Sequence, residues 1–298
     1  MLAAFERPGR FLRGNIHGHS DNSDGALAPS EVCARYREAG YDFVAITDHF
    51  RPNYNYPLTD TRGFRAAGFT TLLGAEVHAP QTARGVEWHL LAVGLPADFP
   101  ATGPEETGPS LARRCAEAGA FVAIAHPHWY QLTLEDALSI DAAHAVEVYN
   151  HTSAVNADRG DGLVLYDALL SEGRRLDAIA VDDSHWKVAD AFGGWVMVKA
   201  DENAPEALLA ALKAGAYYAT QGPEIRDVRV GGDNVEIVCS PAASIVLLGP
   251  ANLNRSAVGE GLTRARLPLE RDRGGWRRIA VRDALGRRAW TNPLWLDA

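Results

Sequence analysis

His17-Gly18-His19, Thr47-Asp48-His49 and Asp183-Ser184-His185 set imidazoles and carboxylates at spacings that suit a metal ion. On a β-strand, residues i and i+2 project from one face, so His17 and His19 can converge on one cation, and so can Asp183 and His185. Each string follows or ends a short apolar run, as expected of a strand that delivers ligands at its C-terminal end. Asp24 lies just beyond the first string. Glu76 ends Thr71-Leu72-Leu73-Gly74-Ala75, where a carboxylate is costly to bury unless paired or metal-bound; its two oxygens suit it to bridge two cations. His89 opens Leu90-Leu91-Ala92-Val93-Gly94, and His126 closes Val122-Ala123-Ile124-Ala125 ahead of Pro127, which breaks the strand. Imidazole and carboxylate at this many strand ends predict a shared metal site, whose chemistry is activation of water for hydrolysis.

Other residues near these strings have less direct expectations. Asp48 precedes His49 and points away from it on a regular strand, so it is expected to orient an imidazole through a hydrogen bond. The same alternation selects Asp183, not Asp182, as the partner of His185. His128 is expected to line the pocket or hydrogen-bond the substrate as a catalytic candidate, or else to serve structure. Arg51 and Lys187 follow ligand positions closely enough to reach the mouth and meet an anion. His78 and His144 read as ordinary histidines, and His151, at another strand end, is expected near the same mouth.

These residues need a scaffold that brings distant strand ends together. From about Arg13 to Thr220, strand-like and helix-like segments alternate. Pro29–Ala39, Ser110–Ala118, Leu134–Ile140, Gly162–Ser171 and Pro205–Ala214 read as helices, several stopped by a glycine. Continuous apolar runs such as Tyr41–Thr47 and Phe121–Ala125 read as buried strands. The rhythm predicts an α/β fold with a mostly parallel sheet, and ligands spread over the whole segment favour a barrel over an open sheet. After about Gly222 helical periodicity disappears. Short strands separated by Gly231-Gly232-Asp233-Asn234 and Arg273-Gly274-Gly275 predict a small all-β unit, giving domains 1–221 and 222–298. Trp276, Trp290 and Trp295 are expected to fill the core of that unit or to bind a ligand.

Composition narrows the partners. The chain has 298 residues, 47% hydrophobic and 22% charged, with a formal net charge of -9. That charge repels long nucleic acid, while a local metal centre still attracts a small anionic substrate. Three scattered cysteines, Cys33, Cys115 and Cys239, imply no disulfide framework. No apolar run is long enough for a membrane span and no secretory leader is evident, so a cytoplasmic protein is expected.

The strings HGHSDNSDG, AITDH, GAEVH…WHLLAVG, AIAHPH and VDDSH resemble the motif pattern of the PHP (polymerase and histidinol phosphatase) family of metal-dependent hydrolases, over roughly Arg13 to Thr220. The resemblance implies a distorted (β/α)7 TIM-like barrel with two or three divalent metals at its mouth. It implies the ligand set His17, His19, Asp24, His49, Glu76, His89, His126, Asp183 and His185. Within that set it implies His17, His19, Glu76 and Asp183 on one cation, Glu76, His89 and His126 on a second, and Asp24, His49 and His185 on a third. The tail, with Tyr218-Ala219-Thr220-Gln221-Gly222-Pro223 and Ala289-Trp290-Thr291-Asn292-Pro293, is similar to the carbaryl-hydrolase branch. Mixed imidazole and carboxylate ligands suit Zn, Mn or Fe. The expected activity is phosphoester hydrolysis of a small metabolite or short nucleotide. Amide or carbamate hydrolysis on the same site is the alternative, and a non-catalytic metal-binding scaffold the third reading.

Overall fold

The computed structural model describes residues 2–296. Its strands are β1 (Arg10–Asn15), β2 (Phe43–Ile46), β3 (His49–Phe50), β4 (Thr70–Ala79), β5 (Trp88–Val93), β6 (Phe121–Ile124), β7 (Ala145–Asn150), β8 (Asp177–Val181), β9 (Trp195–Ala200), β10 (Tyr217–Thr220), β11 (Ile225–Gly231), β12 (Asn234–Leu248), β13 (Asn254–Pro268), β14 (Gly275–Arg282), β15 (Arg288–Thr291) and β16 (Leu294–Leu296). The helices are α1 (Ala3–Glu6), α2 (Pro29–Glu38), α3 (Gly108–Glu117), α4 (Leu134–Ser139), α5 (His151–Ala157), α6 (Leu163–Ser171) and α7 (Pro205–Lys213). The five helices expected from sequence are present as α2, α3, α4, α6 and α7. α1 and α5 were not anticipated; α5 is started by Asn150, whose side chain accepts the Ser153 N–H.

The sheet is mixed, which corrects the mostly parallel expectation. β1–β2, β2–β4, β6–β7 and β7–β8 pair in parallel. β5 runs antiparallel to β4 and β6, and β9 antiparallel to β1 and β10. The connection from β4 to β5, residues 80–87, contains no helix and is too short for a parallel crossover, so β5 must run back along its neighbour. Between β2 and β4 lie only β3 and two short 3-10 turns, so the sheet lacks a regular βα repeat there.

The pairing order from β1 through β8 does not close into a barrel: β8 and β1 share no ladder among the described residues. Just past their ends the two chains meet in one parallel bridge, Gly18 to Ser184. There the Asp183 N–H donates to the His17 carbonyl at 2.9 Å and the His19 N–H donates to the Ser184 carbonyl at 2.8 Å. A Cβ on Gly18 would lie 3.0 Å from Ser184 Oγ, so this approach favours glycine.

The β-rich tail joins the same sheet through β15, which pairs antiparallel with β10. In place of uniformly short strands, Val235–Cys239 and Ile245–Leu248 belong to one long strand, β12, with register shifts against β13 between them. β13 was not anticipated. Its residues are mostly solvent-facing and glycine-interrupted, so it carries little apolar pattern. Trp276 and Trp290 are buried in a cluster that also holds Tyr166, Leu169 and Leu170, rather than in a core confined to the tail. Arg278, its side chain 3% exposed, grips Asp167 of α6 with two bonds of 2.7 and 2.8 Å. All three cysteines are buried and free. No helix among the described residues is long and apolar enough to cross a membrane.

Candidate metal centre

Glu76 lies at the centre of the site, fully buried on β4. Its Oε1 is 2.6 Å from His89 Nδ1 and 2.9 Å from His126 Nε2. Its Oε2 is 2.7 Å from His49 Nδ1, 3.5 Å from His19 Nε2 and 3.6 Å from His17 Nε2. One carboxylate thus presents each oxygen to a different set of imidazoles. Asp183 Oδ1 stands 2.9 Å from His19 Nε2 and 3.2 Å from His17 Nε2. On the outer side, Asp24 Oδ1 is 3.3 Å from His185 Nε2 and 3.5 Å from His49 Nε2. The nine residues of the expected ligand set therefore meet in one cluster.

Strand alternation accounts for only part of this convergence: His17 and His19 fall in one group with Glu76, but Asp183 and His185, expected as a pair on one cation, fall in separate groups. His17 and His19 come from the segment after β1, Asp183 and His185 from the segment after β8, and the bridge between Gly18 and Ser184 holds the two segments side by side. β3 pairs with β4 so that His49 is opposite Glu76. His126 and Asp183 have φ of 22° and 57°, in the left-handed region that costs a non-glycine residue energy.

Electrostatics divides the imidazoles. Burial tends to raise the Glu76 carboxyl, but the charges of His49 and His89 and contact with His126 hold it well below the ordinary carboxylate range. His185 is raised to about 9: burial opposes its charge, and Asp24 and Asp183 outweigh that. His19 falls to about 4, through burial and then the charges of His185 and His49. His17 is raised despite burial because Asp183 and Glu147 face it.

The donor set fits divalent cations. His17 Nε2, His19 Nδ1, Asp24 Oδ1, Glu76 Oε2 and His126 Nδ1 are buried and make no hydrogen bond of good geometry, although several of them crowd one another across the cage. Buried polar atoms are rarely left so, and a cation with imidazole and carboxylate ligands satisfies several at once. Four groups bring ligand atoms within 4.8 Å of one another: His19, Asp24, His49 and His185; His17, His19 and Glu76; His17, His126 and Asp183; and His49, Glu76, His78 and His89.

Other expectations fared differently. Asp48 does not orient an imidazole. It is fully buried behind the loop after β1, where it accepts the Ser20 N–H at 2.8 Å and the Ser20 and Ser23 hydroxyls at 2.7 and 2.6 Å. Its neighbours are the residues that lead to Asp24. His128 does not line the cleft; it is exposed in a separate groove with Pro127, Leu132 and Gly162, because the turn after His126 carries it outward. Arg51 and Lys187 both line the cleft, Lys187 Nζ 3.5 Å from Asp24 Oδ2 and Arg51 Nη1 3.2 Å from Glu87. Asp182 faces away from the cage, where the N–H groups of Phe192, Gly193 and Gly194 and the Tyr36 hydroxyl donate to it. His151 Nδ1 sits 2.8 Å from the Tyr149 hydroxyl and does not line the cleft. His144 Nδ1 accepts the Val122 N–H at 3.1 Å, away from the site.

Three supporting residues escaped the sequence reading. Glu147 Oε1 is 2.6 Å from His17 Nδ1, and its Oε2 accepts the His126 N–H at 2.7 Å. Asn150 donates to Glu147 Oε2 and to Asp183 Oδ2, at 2.9 and 3.1 Å. His78 Nε2 is 3.0 Å from His49 Nδ1, and its Nδ1 is 3.1 Å from the Trp88 carbonyl. The signals were available: Glu147 is a carboxylate inside an apolar strand, as Glu76 is, and His78 lies two residues beyond Glu76.

A cleft of about 720 Å³ opens over the cage. Asp24, His49, Glu76, His89, His126, Asp183 and His185 form its polar floor, and Val86, Trp129, Tyr130 and Val188 part of its walls.

No family model and no curated protein sequence matches the chain. Solved structures do. A two-domain protein from Bacteroides vulgatus, described as containing a predicted PHP-like metal-dependent phosphoesterase, superposes with a TM-score of 0.55 at 17% identity, covering 94% of each chain. A protein from Bifidobacterium adolescentis, provisionally assigned as a metal-dependent phosphoesterase, gives 0.41 at 19% identity over 58% of this chain and 87% of its own. An amidohydrolase from Chromobacterium violaceum, solved with sulfate and no metal, gives 0.46 at 17% identity over 59% of this chain and 89% of its own. The two lower scores carry no weight. The first likeness is one of fold and spans both the helical segment and the β-rich tail.

Proposed function

We propose that this chain, which shares the fold of a two-domain PHP-like protein, is a metal-dependent phosphoesterase acting on a small phosphorylated substrate. The observation that carries this reading is the buried Glu76, whose two oxygens face separate imidazole sets amid ligand atoms left without well-formed hydrogen bonds. In this reading His17, His19, Glu76 and Asp183 hold one cation, Glu76, His89 and His126 a second, and Asp24, His49 and His185 a third. Zn, Mn and Fe suit such ligands. Cations bound there supply Lewis acidity and lower the pKa of water to near neutrality.

The chain's own residues do the rest. Glu147 and Asn150 fix the rotamers of His17 and Asp183 from behind, so the ligands are set before substrate arrives. Lys187 and Arg51 provide fixed positive charge at the cleft wall for the non-bridging oxygens of a phosphoryl group. Those two cations support phosphoester over carbamate hydrolysis, since a neutral carbamate has no charge to answer them. Val86, Trp129 and Val188 give the mouth around the reacting centre an apolar rim.

The test is metal analysis of the purified protein, followed by assays of p-nitrophenyl phosphate and an aryl carbamate with Mn²⁺ and with Zn²⁺. Phosphate release that Glu76→Gln abolishes while the fold persists supports the proposal. Carbamate cleavage without phosphate release selects the alternative, and a protein that takes up no transition metal refutes both.

A further inference from the structure

Trp129 is a large apolar side chain left 43% exposed, and it stands at the cage. Two other exposed large apolar residues, Val86 at 40% and Val188 at 48%, line the same cleft. Isolated exposed apolar side chains need no explanation, but three lining one cleft give it an apolar wall beside its polar floor. The indole is also placed against the ligands. Its ring centroid lies 5.2 Å from that of His126 and 5.6 Å from that of His89, at interplanar angles of 79° and 62°. These are the two imidazoles that face Glu76 Oε1. The turn from His126 sets this distance: the Trp129 N–H donates to the His126 carbonyl at 2.9 Å, and Arg159 Nη1 donates to the Trp129 carbonyl at 3.1 Å. The cleft thus has cations on part of its wall and an aromatic face beside the reacting centre.

Resting on the phosphoesterase reading, we infer that Trp129, with Val86 and Val188, is the leaving-group subsite and that the substrate class is a phosphate monoester of an alcohol bearing an aromatic ring. The phosphoryl group occupies the floor beside Lys187 and Arg51, and the ring stacks on the indole. Water adds to phosphorus, the P–O bond to the alcohol breaks, and its electron pair leaves with the alkoxide, which takes up a proton. The products are inorganic phosphate and the aromatic alcohol. Ring stacking together with the apolar area covered amounts to roughly a tenfold preference.

The experiment compares benzyl phosphate with ethyl phosphate, whose leaving alcohols are of similar acidity but of which only one carries a ring. Calorimetric binding of benzylphosphonate and ethylphosphonate to the metal-loaded protein accompanies it. The expected result is about tenfold higher kcat/KM and about tenfold tighter binding for the benzyl member, with both ratios falling toward one in Trp129→Ala at unchanged metal content. Equal handling of the two members by the wild-type protein, or an unchanged ratio in Trp129→Ala, overturns the subsite. Metal-loaded protein that cleaves neither ester overturns the phosphoesterase reading itself, and the subsite with it. If Trp129→Ala fails to fold, Trp129→Leu, which keeps apolar bulk without a stacking face, gives the same comparison.

Discussion

Glu147 shows how far a single side chain beyond the ligands can matter. It lies 2.6 Å from His17 Nδ1, which leaves Nε2 of that ring turned toward Asp183 and Glu76. Glu147→Gln keeps the shape and removes the charge, so metal affinity is expected to fall about 10- to 100-fold with little change in melting temperature; titration with a chelator of known affinity checks this. The imidazole charges add a pH dependence. His185 is raised to about 9 by Asp24 and Asp183 against the effect of burial, and His17 is raised as well. A value of about 9 means the metal-free protein holds the His185 proton at pH 7, and a cation must displace it. Affinity is therefore expected to rise with pH up to about 9, and calorimetry in buffers of different ionisation enthalpy should show proton release on binding. An affinity flat between pH 6 and 9 contradicts this account.

These residues also mark what the sequence conceals. Alternation on a strand selects Asp183 over Asp182, and the structure does place Asp182 behind the cage. Both residues lie past the end of β8, however, and a left-handed φ of 57° at Asp183 helps to turn it inward. The same rule applied to Glu76 would have pointed to His78. Glu147 is illegible in the sequence because a carboxylate inside an apolar run is ambiguous until its partner is known, and His17 is 130 residues away. For Asp48 the sequence shows only the neighbouring His49; its partners, Ser20, Ser23 and Thr59, belong to other loops.

Among the elements, the segment between β8 and β9 is notable. It carries His185, Lys187, Val188 and Asp190 to the cleft, yet has no regular secondary structure of its own. Asp182 fixes it from below by accepting N–H groups from Phe192, Gly193 and Gly194 at 2.8 to 2.9 Å, and Asp190 accepts those of His185 and Trp186. A Cβ on Gly193 would lie 2.2 Å from the His151 ring, so only glycine fits that position. Asp182→Ala leaves buried donors unanswered and is expected to cost about 3 kcal/mol in urea unfolding, with new protease cleavage between residues 186 and 193. Cleavage confined to other loops counts against this anchoring role. Helix positions were legible because Pro starts and Gly stops are local signals. Strand direction was not, since it depends on connection length and on which neighbour is available.

At the scale of the molecule, the ligand clusters and the place where the sheet comes back on itself are the same place. β1 and β8 share no ladder, and the chain past their ends is joined by the Gly18–Ser184 bridge and two flanking hydrogen bonds. Directly beside that bridge stand His17, His19 and Asp183. Ions held there would act as rivets beside that bridge, adding to the few hydrogen bonds that close the hoop of strands. Stripping them with a chelator should loosen this clasp before anything else. Amide exchange is expected to quicken first at His19 and Asp183, while the β2–β4 amides hold, and the melting temperature should drop. A cation present at a thousandfold above its dissociation constant contributes about 4 kcal/mol to the folded state. Uniform exchange across the strands after chelation would mean that the hoop stays shut without its rivets.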